Sequence, residues 1–146
     1  MNRNGSSLTD LIVTLALLAI VLAIGAPRLQ GARDAYATRA ARDAAAAVVE
    51  RARVLAAARG TARLIVEPAA GTLALESPVG APARATLAIH DAFGVALSVD
   101  GHTVTRVTLD FNALGLGVVA NRTLRFRRGG AESVLILSMH GRGRRS

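Results

Sequence analysis

The sequence predicts an α+β architecture, a long N-terminal helix followed by an antiparallel β domain, and three observations carry that reading. An uncharged apolar run extends from Leu11 to Pro27. An alanine-rich stretch follows it as far as Gly60. From Thr61 onward, short alternating runs of Val, Leu, Ile and Thr take over, separated by Gly and Pro turns. One long helix followed by strands is satisfied when the second half of the helix covers a sheet face.

The apolar run comes first. At 1.5 Å rise per residue it spans about 25 Å, close to the roughly 30 Å core of a bilayer. Four readings compete: a cleaved secretory signal, a plain anchor, a buried core helix, and an assembly helix. A secretory signal needs a positive n-region and an A-x-A exit, whereas Asp10 abuts the run and "AIGAP" closes it. A core helix is seldom apolar all round, as Leu11 to Ile24 nearly is. A plain anchor explains the hydrophobicity but not the carboxylate of Asp10.

Gly5-Ser6-Ser7-Leu8-Thr9-Asp10, the apolar run and Pro27 together resemble the class III signal of type IV pilins and pseudopilins. The resemblance implies cleavage by a prepilin peptidase between Gly5 and Ser6, methylation of the new N-terminus, and an acidic assembly position at Asp10. Pro27 takes the family's proline position. Two departures stand out: Ser6 replaces the usual phenylalanine, and Asp10 the usual glutamate. Cleavage would create an ammonium at Ser6, which Asp10 of a neighbouring subunit could pair with. Two unit charges about 4 Å apart gain roughly 4 kcal/mol at an effective dielectric near 20, before desolvation. An unpaired carboxylate in lipid costs a few kcal/mol. The bland alternative is an interfacial aspartate that never enters the membrane. Charge alone does not orient the segment, since Arg3 precedes it while Arg28 and Arg33 follow. The resemblance places the N-terminus in the cytoplasm and the bulk of the chain in the periplasm, anchored by a single pass in the bacterial inner membrane.

The next stretch reads as helix on alanine content. Leu29, Ala32, Tyr36, Ala40, Ala47, Val48, Leu55 and Ala58 fall near one face and are the expected buried stripe. Gly60 supplies the stop. Joined to the span, this predicts a helix of about 50 residues, roughly 80 Å long. Gly25, Pro27 and Gly31 are expected to bend it, and a break at Pro27 into two helices is the alternative. The organisation expected is therefore a leader over 1–5, a span over 6–27, a periplasmic helix over 28–60, a β domain over 61–139 and a basic tail over 140–146.

Within the β domain, "TARLIVE" and "TLALE" flank "PAAG" as a hairpin, and "SPVGAPA" is a loop. "ATLAIH" and "VALSV" are strand candidates, and "HTVTRVTLD" follows a turn at Asp100-Gly101. "TLRFR" and "ESVLILSM" flank Gly129-Gly130 as a final hairpin. This half resembles the GspH/FimT-like branch of minor pseudopilins, on the Phe111-to-Gly115 turn and the Gly141-Arg142 ending. That branch implies a minor subunit of a type II secretion pseudopilus or type IV pilus-like filament. Its partners would be the prepilin peptidase, other pseudopilins, an inner-membrane assembly platform and the membrane itself.

Composition excludes some chemistry. The 146 residues contain no cysteine, so disulfides and thiol catalysis are out. Apolar residues make up 51% but aromatics only 3%, which with so much alanine means a small core. His90, His102 and His140 lack metal-ligand spacing, and Asp91, Asp100 and Asp110 lack that of a calcium loop. Gly115-Leu116-Gly117 lacks the third glycine of a dinucleotide site. The expectation is no enzyme, no metal and no cofactor.

The net charge is +8, carried wholly by arginine. Arg122, Arg125, Arg127, Arg128, Arg142, Arg144 and Arg145 crowd the last hairpin and tail, with Glu132 as the expected lone counter-charge. Arg125 and Arg127 flank Phe126 and so share one sheet face. Such a patch could neutralise several phosphates. In FimT-like members a Gly-Arg-x-Arg ending is associated with DNA capture in natural transformation, and Gly141-Arg142-Gly143-Arg144 matches it. DNA is therefore the alternative partner. Scarce aromatics argue against base stacking, and the plain alternative is a solvated basic tail.

Overall fold

The structure is a computed structural model that describes residues 7–118, 121–138 and 143–145. The chain divides into two compact units, Met1–Arg33 and Asp34–Ser146.

Helix α1 runs over Ser7–Arg59 without interruption, with Pro27 inside it. The alternative of two helices broken at Pro27 is therefore not what forms. A proline removes one i→i−4 bond, and the flanking turns bridge the gap. In the first unit α1 is exposed all round from Leu8 to Arg33, its large aliphatic side chains included.

In the second unit α1 is seated on a core. Ala37, Ala41, Ala45, Val49, Ala52 and Ala56 form the buried stripe, at steps of three and four. The stripe read from sequence was rotated away from this one. Leu29, Tyr36, Ala47 and Ala58 are exposed, Tyr36 at 76%. Only Val48 and Leu55 of that set pack against the core, from its margin. The reason is physical: the sheets supply the bulk, so the helix presents its smallest residues and comes close, leaving Tyr36 outside.

The β domain holds two four-stranded sheets, each antiparallel throughout. The first has the order β3(Ala85–Ala88), β2(Thr72–Glu76), β1(Ala62–Glu67), β5(Val107–Phe111). The second has the order β4(Ala96–Val99), β6(Arg122–Arg128), β7(Ala131–Leu137), β8(Gly143–Arg145). Alternation decides which side is buried. Leu64 and Val66 of β1, Leu73 and Leu75 of β2, Leu124 and Phe126 of β6, and Leu135 of β7 all point into one cluster with the alanine stripe. Fully burying one such Leu or Phe stabilises the fold by about 1.5–3 kcal/mol. A buried polar pair lies in that interface: the Ser133 hydroxyl donates to Thr38 Oγ1 at 3.2 Å, and Thr38 donates to the Ala35 carbonyl.

Both predicted hairpins form, β1–β2 and β6–β7. Two strand expectations change. "ATLAIH" is a strand only to Ala88, and a short helix α2(Ile89–Phe93) follows, started by the Ile89 N–H donating to the Gly71 carbonyl. A single helical turn has no periodicity for a sequence to display. "HTVTRVTLD" becomes strand only at Val107. Asp100 and Gly101 do turn the chain, with φ of 51° and 81°, and Val99 and His102 exchange backbone bonds across it. The turn does not open a hairpin, because β4 and β5 belong to different sheets. Residues 102–106 are instead an exposed strap crossing from one sheet to the other.

Candidate functional site

Two regions carry the sequence-predicted site residues. The first is the head of α1. Its segment starting at Leu8 is long and apolar enough to cross a membrane, with a mean hydropathy of 2.5 and no burial of that window inside the protein. The one hydroxyl in the apolar stretch is neutralised locally: Thr14 Oγ1 donates to the Asp10 carbonyl at 2.6 Å and the Leu11 carbonyl at 2.9 Å. The apolar surface is thus unbroken from Leu11 to Ile24.

Asp10 lies in the first turn of α1. The helix dipole favours a carboxylate there by about 0.3–1 kcal/mol. Among the described residues no side chain pairs with it. Gly5 and Ser6 lie outside the described residues. Pro27 sits inside the helix in this same unit, where its missing N–H is absorbed by the turns around it.

The second region is the outer face of the β4–β8 sheet. Strand β6 exposes Arg125 and Arg127 and buries Leu124 and Phe126, as alternation requires. The register sets Arg127 opposite Glu132 on β7, and Arg125 opposite Val134. Glu132 reaches both arginines. Arg125 donates to its Oε1 at 2.7 Å, and Arg127 donates to its Oε2 at 2.7 Å. The hydrogen bonds from Arg127 and then Arg125 hold the Glu132 carboxyl below the usual carboxylate range.

The sequence missed two further counter-ions. Arg122 donates to Asp100 at 2.8 Å, and Arg128 reaches Asp34 at 3.1 Å. Burial pushes the Asp100 carboxyl up, but the Thr123 N–H and the Arg122 guanidinium together bring it below its ordinary value. Arg128 also donates to the Phe93 carbonyl at 2.7 Å. Its turn needs glycine: Gly129 has φ of 54°, and a Cβ there would strike Asp34 Oδ2. Asp34 lies 94 positions before Arg128, and no sequence pattern links residues so far apart. Asp100 was visible as a turn residue, but its pairing depends on the β4–β6 register.

Arg144 and Arg145 lie on β8, opposite Ile136 and Leu135 of β7, so the basic C-terminal segment extends the sheet over residues 143–145. Arg142, Gly141 and His140 lie outside the described residues. The arginines that sequence grouped therefore separate. Arg125 and Arg127 share a carboxylate, Arg122 and Arg128 are each held by another, and Arg144 and Arg145 stand on an edge strand. Among the described residues no cluster of His, Asp or Glu is arranged to hold a metal ion.

The loop after β5 is docked on the helix. Asn112 Oδ1 accepts the Leu114 and Leu116 N–H groups, and Arg53 Nε donates to the Gly115 carbonyl at 3.1 Å. Glu50 in turn holds Arg53 through both carboxylate oxygens. Leu114 and Val118 remain exposed on this loop.

Neither a protein-family model nor a curated protein matches the chain. Solved structures do match in fold. The type IV minor pilin FimU of Pseudomonas aeruginosa superposes with a TM-score of 0.59 and 21% identity, covering 75% of this chain and 87% of that one. A second crystal form of the same protein gives a TM-score of 0.55 and 23% identity, over 74% and 91% of the two chains. At such identity the likeness establishes a type IV pilin-like fold.

Proposed function

We propose that this protein is a minor subunit of a pilus-like filament, either a type II secretion pseudopilus or a type IV pilus, stored in the inner membrane and assembled through α1. The observation that carries the reading is the head of that helix. It is apolar on every side, its hydroxyl is satisfied internally, and its one carboxylate has no partner among the described residues. Such a surface fits lipid before assembly and neighbouring helices after it. The pilin-like fold supports the same reading.

In this account a prepilin peptidase cuts between Gly5 and Ser6 and methylates the new amine. Asp10 then pairs with the ammonium of a neighbour, which sets the axial register. The dipole contribution of about 0.3–1 kcal/mol is smaller than the few kcal/mol a lone carboxylate costs in lipid, so the charge favours assembly over storage. The β domain decorates the filament on the periplasmic side. DNA uptake is the weaker alternative, because Glu132, Asp100 and Asp34 oppose the arginines of β6.

Mass spectrometry of the N-terminal peptide of the mature protein tests the proposal. It is expected to begin at Ser6 with one added methyl group. A native protein that still carries Met1 through Gly5 would overturn it.

A further inference from the structure

The apolar part of α1 is shorter than the layer it is proposed to cross. Leu11 to Pro27 gives about 25 Å of helix against a hydrocarbon core of about 30 Å. Asp10 bounds the stretch at one end, where a carboxylate resists entry into lipid. The missing length, about 5 Å or roughly three residues, therefore falls at the other end, on Arg28, Leu29 and Gln30. The helix does not stop there, since α1 continues through these positions to Arg59.

Each of these residues has a place at such a boundary. Leu29 is exposed and suits hydrocarbon. Arg28 lays its stem along the hydrocarbon and carries its guanidinium up to phosphate level, as long cationic side chains at span ends do. Arg33 lies about 4.5 Å beyond Gln30, inside the headgroup layer. Residues of a helix turn by about 100° each, so Arg28 and Arg33 leave it about 140° apart and reach different lipids.

Both guanidiniums are exposed, and among the described residues neither donates to a carboxylate or a carbonyl. The arginines of the β domain differ: Arg63, Arg106, Arg122 and Arg128 are each held by a carboxylate. Asp34, the acid next to Arg33 in sequence, is the one that Arg128 takes. A guanidinium offers a planar fork of N–H donors that matches phosphate oxygens. We propose that Arg28 and Arg33 form a docking site for the headgroups of anionic phospholipids and pin this end of α1 to one leaflet. The inference rests on the membrane-stored reading above, but not on which side of the bilayer this end faces. Free phosphate has the same oxygens, yet it lacks the acyl chains that suit the exposed Leu22, Ile24 and Leu29. The lipid fits both the charge and the apolar surface beside it.

The experiment reconstitutes the full chain in bilayers of phosphatidylcholine and phosphatidylglycerol at a known ratio. After mild detergent extraction, the lipids still bound are counted by mass spectrometry. Phosphatidylglycerol is expected to be enriched about fivefold over its bulk ratio, as one cation at a charged surface gives. Arg28→Gln/Arg33→Gln should return the bound lipid to the bulk ratio. Arg28→Lys/Arg33→Lys should keep most of the enrichment, since lysine also binds phosphate as a point charge. Arg51→Gln removes an exposed cation of α1 well past the span and should change nothing. Circular dichroism establishes that the variants are folded. Equal retention of the two lipids by the wild type overturns the proposal, as does enrichment that survives the glutamine pair. Loss of the enrichment to millimolar inorganic phosphate also overturns it, by making this a free-anion site. A chain that never enters the bilayer defeats this inference and the filament reading together, whereas one that enters without lipid preference defeats this inference alone.

Discussion

One helix has two different surfaces in its two halves. From Leu8 to Arg33, α1 presents large aliphatic side chains on every side, and none is buried by its own chain. From Asp34 to Arg59 it presents a narrow stripe of alanines to two sheets, and that stripe is buried almost completely. Bulk and burial thus run opposite to the usual rule. On the proposed reading the bulky residues are exposed because their partners lie outside the chain, whereas the small ones are buried because the sheets already supply volume. The contrast shows that an apolar face marks contact only once its solvent is known.

Introducing charge should separate the halves most strongly. Ala45→Asp places an unpaired carboxylate in the core and is expected to cost about 3–5 kcal/mol, enough to unfold a marginal domain. Leu17→Asp should leave the thermal midpoint of the β domain unchanged and instead cost about 2.5–3.5 kcal/mol of membrane insertion. Thermal melts and membrane fractionation of the two variants would read this out. Equal loss of domain stability from both would abolish the distinction.

Added volume should give a smaller effect with the same asymmetry. Ala45→Leu overpacks the stripe and should lower stability by about 1–3 kcal/mol. Ala16→Leu adds the same atoms to an exposed surface and should leave the urea midpoint of the domain where it was. A tolerated Ala45→Leu would mean that the helix does not sit as close to the sheets as the burial implies.

Acid should have the smallest effect, and only on the second half's domain. The folded-state pKa values of Glu132 and Asp100 lie below their ordinary values. Their contribution is therefore fully present above the unfolded pKa values, near 4, and is lost as pH falls through the folded ones. Denaturant midpoints should be level around neutrality and fall in acid. Glu132→Gln should flatten part of that fall, and an unchanged acid limb would show that the arginine clamp adds nothing to stability.

The sequence displayed what is local. The α1 boundaries, both hairpins and the loop at residues 77–83 follow from runs and turn residues a few positions apart. The buried stripe was misread because alanine occupies nearly every face between residues 35 and 58, so the few large residues, Tyr36 above all, dominated the periodicity. The division into two sheets was not legible, since the Asp100-Gly101 turn looks like any hairpin turn while its strap crosses to the other sheet. Asp10 stands out in the sequence through its immediate neighbours, an apolar run on one side and a polar stretch on the other. The candidate site was less legible among the arginines, because their partners Asp34 and Asp100 are brought in by register and packing.

On the proposed reading, Asp10 serves a neighbouring subunit. Wild type, Asp10→Glu and Asp10→Ala should be compared for the fraction of subunit recovered in sheared filaments, with equal amounts of each in the membrane. The account predicts that glutamate preserves incorporation, while alanine leaves the subunit anchored and abolishes it. Full incorporation of Asp10→Ala would contradict the account and leave the helix a plain anchor.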